Sequence, residues 1–272
     1  DTSLLENRLH EIGGNEANVA TGYHAIEFLL WGQDLNGTGP GKGKRPYTDF
    51  SLAECSNKNC DRRRQYLLAA TELLVKDLEE MKSFWSKNGI ARKDLLSNSN
   101  EKGLKRILTG MGSLSYGELA GERMKLGLML NDPEEEHDCF SDNTHNSHFF
   151  NVVGIQNVYI GSYKNINNEV VNGESLSQLV ASKDKELDEE VKSSIRNTIF
   201  HMQNIVNSAE NGVTYDMLIG ENNKEGNLLI QNAIDALVKQ SQSIEKVANL
   251  LNIDNLQIEG SDSLDNPEAV FY

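Results

Sequence analysis

The sequence predicts an all-α fold. Apolar residues recur mostly at three- and four-residue spacing, as expected for helices that bury one face. Runs that alternate apolar and polar residues, the pattern of half-buried strands, are scarce. Only four prolines occur in 272 residues, against abundant Leu, Ala, Glu, Asn and Lys. These observations favour helices joined by polar loops, in one large domain or two small ones.

The first part of the chain carries two predicted helices. The expected elements are a helix over 15–32 that ends at Gly32, a Gly-rich loop over 33–50 and a helix over 60–86. The polar, turn-rich stretch 87–100 is the best candidate for a domain boundary. We therefore predict a first domain over 1–95 and a second over 96–272.

The second part predicts a four-helix bundle. Its helices are expected near residues 101–130, 142–163, 184–209 and 224–251. Long amphipathic helices with modest connections are typical of such bundles. The two earlier helices make only half of one, so their apolar faces pack on the second bundle or on helices N-terminal to residue 1.

The charge balance excludes some classes of partner. Lys and Arg total 26 while Asp and Glu total 41, a net charge of −15. A nucleic-acid binder would show a basic footprint, and docking on anionic lipid also needs basic residues. An acidic protein can attract metal cations, although acidity also serves solubility alone.

Two of the three cysteines lie close together. Cys55 and Cys60 are five residues apart in the loop-like stretch ECSNKNC. This spacing favours a small disulfide loop in an oxidising compartment, with two free thiols as the alternative.

The stretch GYHAIEFLLWG, residues 22–32, places titratable groups in an apolar helix. His24 and Glu27 stand at i and i+3, on one helical face, where imidazole and carboxylate can share a metal ion. The alternative is a buried hydrogen-bonded pair that satisfies two polar groups. The His-Glu-x-x-His pattern of zinc peptidases does not occur in the sequence.

A second constellation lies between two predicted helices, over 132–148. Three of the six histidines, His137, His145 and His148, occur there among acids. A chain break lined with imidazole and carboxylate predicts a metal or ligand site. The alternative is a solvated acidic turn in which Asp142 caps the next helix.

Two charged residues precede this segment. Glu122 and Arg123 lie within the helix predicted over 101–130. They either reach the same region or form surface ion pairs.

The motifs resemble the imelysin-like family. The matching stretches are GYHAIEFLLWG (22–32, with the family's Gly-x-His-x-x-Glu motif), RPYTDF (45–50), CDRRRQYLLAATELLVKDL (60–78), GERM (121–124) and EEEHDCFSDNTHNSHFFNVVGIQNVY (134–159). The resemblance runs from near residue 15 to about residue 250. Members are bacterial periplasmic or lipid-anchored proteins, classed among metallopeptidases and related to iron-uptake components.

The resemblance implies two packed up-down four-helix bundles, the first incomplete here, with the site at their interface. It implies Gly22, His24 and Glu27 as the motif residues. Candidates for the facing wall are Glu122, Arg123, Glu135, Glu136, His137, Asp142 and His145. Family members carry a helical segment before the motif, which we expect to pack on residues 15–86. The implied location is the Gram-negative periplasm or a lipid anchor on the outer membrane, where a Cys55–Cys60 disulfide would form.

Three functions follow as hypotheses. The first is a protein of iron acquisition that binds iron, zinc or an iron-bearing ligand, with His24, Glu27, Glu136 and His137 as metal ligands. The second is a metallopeptidase in which Glu27 serves as general base toward a peptide substrate. Against it, two motif residues are fewer than the three protein ligands of a catalytic zinc. The third is a structural or partner-binding envelope protein without metal.

Overall fold

A computed structural model describes residues 2–5, 9–14, 18–97 and 99–271 and confirms the all-α class. The chain divides into two compact units. The first comprises residues 1–36 and 41–97, and the second comprises 37–40 and 98–272. Each unit is described by itself below.

The elements follow in chain order. The α-helices are α1 (Thr2–Leu4), α2 (Gly22–Trp31), α3 (Cys60–Phe84), α4 (Ile90–Ser97), α5 (Asn100–Ser113), α6 (Leu126–Leu130), α7 (Thr144–Ile160), α8 (Leu176–Ala181), α9 (Lys185–Glu210), α10 (Tyr215–Ile219), α11 (Lys224–Leu250) and α12 (Asp262–Asp265). A π-helical segment, Leu114–Lys125, joins α5 to α6. Strands β1 (Ser162–Lys164) and β2 (Val170–Asn172) form an antiparallel hairpin.

The first unit is built on α2 and α3. Helix α3 buries Ala69, Ala70 and Leu73 on the side that packs against α2 and α1. Its other side exposes large apolar side chains: Leu68, Val75, Leu78 and Met81 are 54%, 52%, 43% and 57% exposed. Helix α3 is therefore apolar on two sides, one covered and one open, within the described part of the chain.

Helix α2 begins later than the sequence predicts. The helix expected over 15–32 starts at Gly22, and residues 15–17 lie outside the described ranges. Upstream polar groups are used in loop contacts instead. The Asn18 carbonyl accepts from the Glu11 amide, and the Ala20 amide donates to Nδ1 of His10. The turn-rich stretch 87–100 also differs from expectation, because it contains the short helix α4.

The second unit is a four-helix bundle, close to the predicted bounds. Helix α9 packs on α7 and on α11, and α11 packs on α5 and the π segment. Helix α9 starts where Asp184 caps it by accepting hydrogen bonds from the Glu186 and Leu187 amides. The core of the bundle forms two clusters. One includes Leu108, Tyr159, Val191 and Ile244, and the other includes Leu119, Met124, Ile205, Leu218 and Leu237.

The π segment is the least ordinary part of the bundle. The Leu126 amide bonds to the Gly121 carbonyl, five residues back, where an α-helix would bond four back. The C-terminal chain packs on this segment through glycines. A Cβ added at Gly117 would lie 2.4 Å from the Glu259 carbonyl oxygen. Ser261 and Ser263 of this C-terminal chain are buried as a result.

Candidate functional site

The motif pair lies on α2 in the first unit. Nδ1 of His24 is 3.0 Å from Oε2 of Glu27. Glu27 is buried, while the His24 side chain is 41% exposed. If Nδ1–H donates to the Glu27 carboxylate, the ring lone pair lies on Nε2. A carboxylate that fixes a histidine tautomer in this way is typical of metal-ligating histidines.

Both ends of α2 are tied to other parts of the first unit. At the start, the Tyr66 hydroxyl donates to the Ala20 carbonyl at 2.8 Å. At the end, the Arg45 amide donates to the Trp31 carbonyl at 2.8 Å. A Cβ at Gly43 would lie 2.5 Å from the Trp31 carbonyl oxygen, so the loop approaches the helix end only because this residue is glycine.

A buried carboxylate organises the loop that follows. Asp49 accepts hydrogen bonds from Ser56 at 2.9 Å and from Asn57 at 2.7 Å. Arg45 lies 3.2 Å from Asp49, and Arg63 donates to its carbonyl at 2.7 Å. Burial alone raises the pKa of Asp49, but these hydrogen bonds and the Arg63 charge together hold it below its ordinary value.

A disulfide closes the same loop. Cys55 and Cys60 are bonded, and Cys60 is the buried first residue of α3. The bridge therefore joins the Asp49 loop to the start of the main helix of this unit.

The acidic histidine segment lies between α6 and α7 in the second unit. Asn131, in the left-handed conformation, ends α6, and Asp132 caps a 3-10 turn by accepting from the Glu134 amide. The predicted cap of α7 by Asp142 is wrong. Asn143 takes the N-cap position without a capping hydrogen bond from its side chain, and Asp142 is buried with φ at 55°.

Glu136 is the most perturbed carboxyl of this segment. Its side chain is buried and hydrogen-bonded to Thr144. Burial, together with the charges of Asp216, Asp142 and Asp138, raises the pKa of Glu136 to about 9. Glu136 therefore holds a proton at neutral pH in the metal-free protein.

Two histidines of the segment, His145 and His148, have lowered pKa values. Burial lowers the pKa of His145 and, more strongly, that of His148, which is 0% exposed. The His148 ring lies edge-on to Tyr215 at 5.1 Å and 6.0 Å from the His137 ring. Neither ring nitrogen of His148 has a hydrogen-bond partner among the described residues.

The predicted site residues divide between the units. Gly22, His24 and Glu27 lie in the first. Four lie on one short segment of the second: Glu136, His137, Asp142 and His145. Glu135 is half-buried in the 3-10 turn before it.

The two residues upstream, Glu122 and Arg123, match the surface alternative. Glu122 is exposed, and Arg123 pairs with Glu118 at 2.8 Å. The positive charge of Arg123 nevertheless adds to the lowering of the His148 pKa.

Sequence reasoning missed the residues that complete the buried group. Asp216 and Tyr215 sit at the start of α10, far along the chain, and are buried beside the acidic segment. Their sequence context, VTYDML, carries no pattern of chemistry. His148 lies within the segment, but its spacing from His145 fits a packed helix face as well as a site.

None of the helices in the described ranges has the length and apolar character needed to span a membrane.

The sequence model of a family described as imelysin, peptidase M75, matches residues 1–244. The fold is similar to the crystal structure of a putative iron-regulated protein A precursor from Parabacteroides distasonis ATCC 8503, with a TM-score of 0.64 and 16% identity. The match covers 92% of this chain and 69% of that chain. Comparison with curated proteins gave no significant match.

Proposed function

This chain belongs to the imelysin family, and on that premise we propose that it is a cell-envelope protein of iron acquisition. In this proposal it binds a metal ion or an iron-bearing ligand. The observation that carries the proposal is the contact between His24 and Glu27 at 3.0 Å on α2. It orients an imidazole whose side chain is 41% exposed, so a ligand from solvent can reach it.

The chemistry of the available donors suits iron or zinc. Imidazole nitrogen and carboxylate oxygen are ligands that Fe²⁺ and Zn²⁺ accept. The Glu27 carboxylate can bind the ion with its second oxygen. Alternatively, it can fix the tautomer of His24 by a hydrogen bond without touching the ion.

The envelope location is part of the proposal. The structurally similar protein is described as a putative iron-regulated protein A precursor. The word precursor is used for exported proteins before processing. A disulfide between Cys55 and Cys60 suits an oxidising compartment such as the periplasm. A lipid anchor on the outer membrane remains part of the same expectation.

The open side of α3 supports a further element of the proposal. Leu68, Val75 and Met81 are each more than half exposed. We propose that another helical segment covers this side in the native assembly. The isolated chain should then bind the dye ANS, and Leu68→Glu/Met81→Glu should bind less of it. Unchanged dye binding in that variant would contradict the idea.

A metallopeptidase is the second candidate, because the family carries that description. Glu27 would act as general base, with the His24 contact setting its orientation. The motif supplies at most two ligands, and a catalytic zinc takes three from protein. A structural or partner-binding role without metal is the third candidate.

Metal analysis of the purified protein tests the first proposal. After incubation with Fe²⁺ or Zn²⁺ and gel filtration, we expect stoichiometric metal in the wild type. His24→Ala and Glu27→Ala should each lower the affinity, and His201→Gln, a half-buried histidine on α9, is the matched control. Unchanged binding in both motif variants would refute the assigned site.

Peptide hydrolysis separates the second candidate from the first. Activity on a mixture of unstructured peptides must disappear on chelation and in Glu27→Ala if the chain is a peptidase. Metal binding without hydrolysis supports the first candidate. Absence of metal from every preparation leaves the third.

A further inference from the structure

Three carboxyl groups are buried together in the second unit. Glu136, Asp142 and Asp216 are 5%, 7% and 1% exposed. Glu136 and Asp142 belong to the segment between α6 and α7, and Asp216 is the second residue of α10. The charges of Asp216 and Asp142 contribute to the raised pKa of Glu136. Buried carboxylates are stable only when a cation or protons compensate them.

A buried histidine adjoins these acids. His148 is fully buried, and neither ring nitrogen has a hydrogen-bond partner among the described residues. A neutral imidazole always presents one N–H donor and one lone pair. Leaving both unsatisfied in a protein core is unfavourable, so such a ring calls for an explanation.

The surroundings of the ring point toward the acids. His148 lies edge-on to Tyr215, with centroids 5.1 Å apart, and Asp216 follows Tyr215 in the chain. On another side, the His137 ring is 6.0 Å away, and Glu136 precedes His137. Glu136 is hydrogen-bonded to Thr144, which lies one helical turn before His148 on α7.

Glu136 shares the unusual feature of His148. Its Oε1 is buried and has no hydrogen-bond partner within the described ranges, while the side chain is hydrogen-bonded to Thr144. A carboxylate oxygen and an imidazole nitrogen without partners, in one buried region, form a pair of donors suited to a borderline metal ion.

We propose that Glu136 and His148 are ligands of a divalent transition-metal site inside the second unit, separate from the His24–Glu27 pair. The ion class is Fe²⁺, Mn²⁺, Co²⁺ or Zn²⁺, which accept mixed oxygen and nitrogen ligands. Asp142 and Asp216 lower the cost of placing the positive ion there. The proposal does not depend on the proposed function, since the motif pair takes no part in it.

Cobalt titration of the full chain tests the site. Co²⁺ gives visible absorption bands on binding nitrogen and oxygen ligands, and its bound equivalents can be counted. We expect the variant His24→Ala/Glu27→Gln to retain one equivalent. That equivalent should bind more than about a hundredfold more weakly in His148→Phe and in Glu136→Gln. Losing a residue that only hydrogen-bonds to a metal ligand already weakens metal binding roughly 10–100-fold, and losing a ligand should weaken it more. His201→Gln should bind as the wild type does.

The two variants keep the fold by design. Phenylalanine preserves the ring against Tyr215, and glutamine preserves a group that can bond to Thr144. Without metal, His148→Phe should melt at or above the wild-type temperature, because an unsatisfied polar ring has been removed. Adding Co²⁺ should raise the melting temperature of the wild type. His148→Phe should lose the part of that rise that comes from this site.

Several results would overturn the proposal. One is the loss of all cobalt in the motif variant, which would leave a single site that needs His24 and Glu27. Another is unchanged affinity in both His148→Phe and Glu136→Gln, which would assign water to the buried polar atoms. Failure of the proposed function alone looks different: cobalt remains at one equivalent in the motif variant and in the wild type alike.

Discussion

Arg45 donates a hydrogen bond of 3.2 Å from Nη1 to Oδ2 of Asp49. The same residue donates its backbone N–H to the last residue of α2, Trp31, and its guanidinium lies 5.5 Å from the Phe28 ring centroid. Arg45 therefore connects the helix that carries the motif pair to the buried carboxylate of the next loop. The helix that carries His24 is thus held in part by residues outside the motif.

Removing the Asp49 charge should destabilise the protein. Asp49→Asn leaves the guanidinium of Arg45 without its carboxylate partner in a buried setting, and we expect a loss of roughly 3 kcal/mol in the free energy of unfolding. Urea denaturation measures it. Asp61→Asn, an exposed acid in the first turn of α3, is the control and should change stability by less than about 1 kcal/mol. Equal stability of the two variants would contradict the role given to Asp49.

Glu136 should make the metal-free protein less stable as the pH rises. Its folded pKa is about 9 against an ordinary value of 4.5, so the folded state holds a proton that the unfolded state has lost. Unfolding is therefore increasingly favoured from pH 4.5 upward, until the folded pKa is passed.

Glu136→Gln should remove this dependence. In chelator, we expect the variant to be more stable than the wild type at pH 7 by about 1–3 kcal/mol. The difference should vanish below the unfolded pKa. Denaturation midpoints at several pH values measure it, and a difference that grows toward acid would contradict the assignment.

The disulfide should stabilise the first unit by a modest amount. It closes a loop of five residues' separation, for which the chain-entropy relation gives about 2 kcal/mol. Cys55→Ala/Cys60→Ala should lose about that much free energy of unfolding, and a reducing agent should lower the wild type to the same level. A reductant effect that persists in the double variant would assign it elsewhere.

Gly110 in α5 and Gly117 in the π segment should respond in opposite ways to alanine. At Gly117 a Cβ would lie 2.4 Å from the Glu259 carbonyl oxygen, so the C-terminal chain must shift, at a cost of roughly 1–3 kcal/mol. At Gly110 nothing lies within 4 Å, so alanine should stabilise the helix by about 0.5–1 kcal/mol. Thermal unfolding of both variants checks the pair, and a loss of stability in both would contradict the packing described.

The bundle could be predicted from the sequence because its signal is local. Long apolar stripes at helical spacing gave α3, α7, α9 and α11 within a few residues of their ends. The start of α2 could not be predicted, since it depends on His10 and Asn18 taking loop contacts. Helix α4 could not be predicted, because its sequence is polar and lies in a turn-rich stretch.

The candidate site was predictable only in part. The His24–Glu27 contact follows from i, i+3 spacing, and the structure shows it at 3.0 Å. The burial of Glu136 and His148 does not follow from spacing, because it requires Tyr215 and Asp216 to arrive from about seventy residues away along the chain. A run of acids and histidines looks the same in sequence whether it is wet or buried.

The widened segment Leu114–Lys125 has a consequence for related sequences. A helix whose hydrogen bonds reach back five residues holds an extra residue in each turn compared with an α-helix of the same length. Deleting one residue there can return a turn to ordinary α geometry while the helices on either side keep their register. A deletion of one residue is therefore better accommodated here than in the other long helices of the bundle, and alignments of relatives should place such a gap at this point.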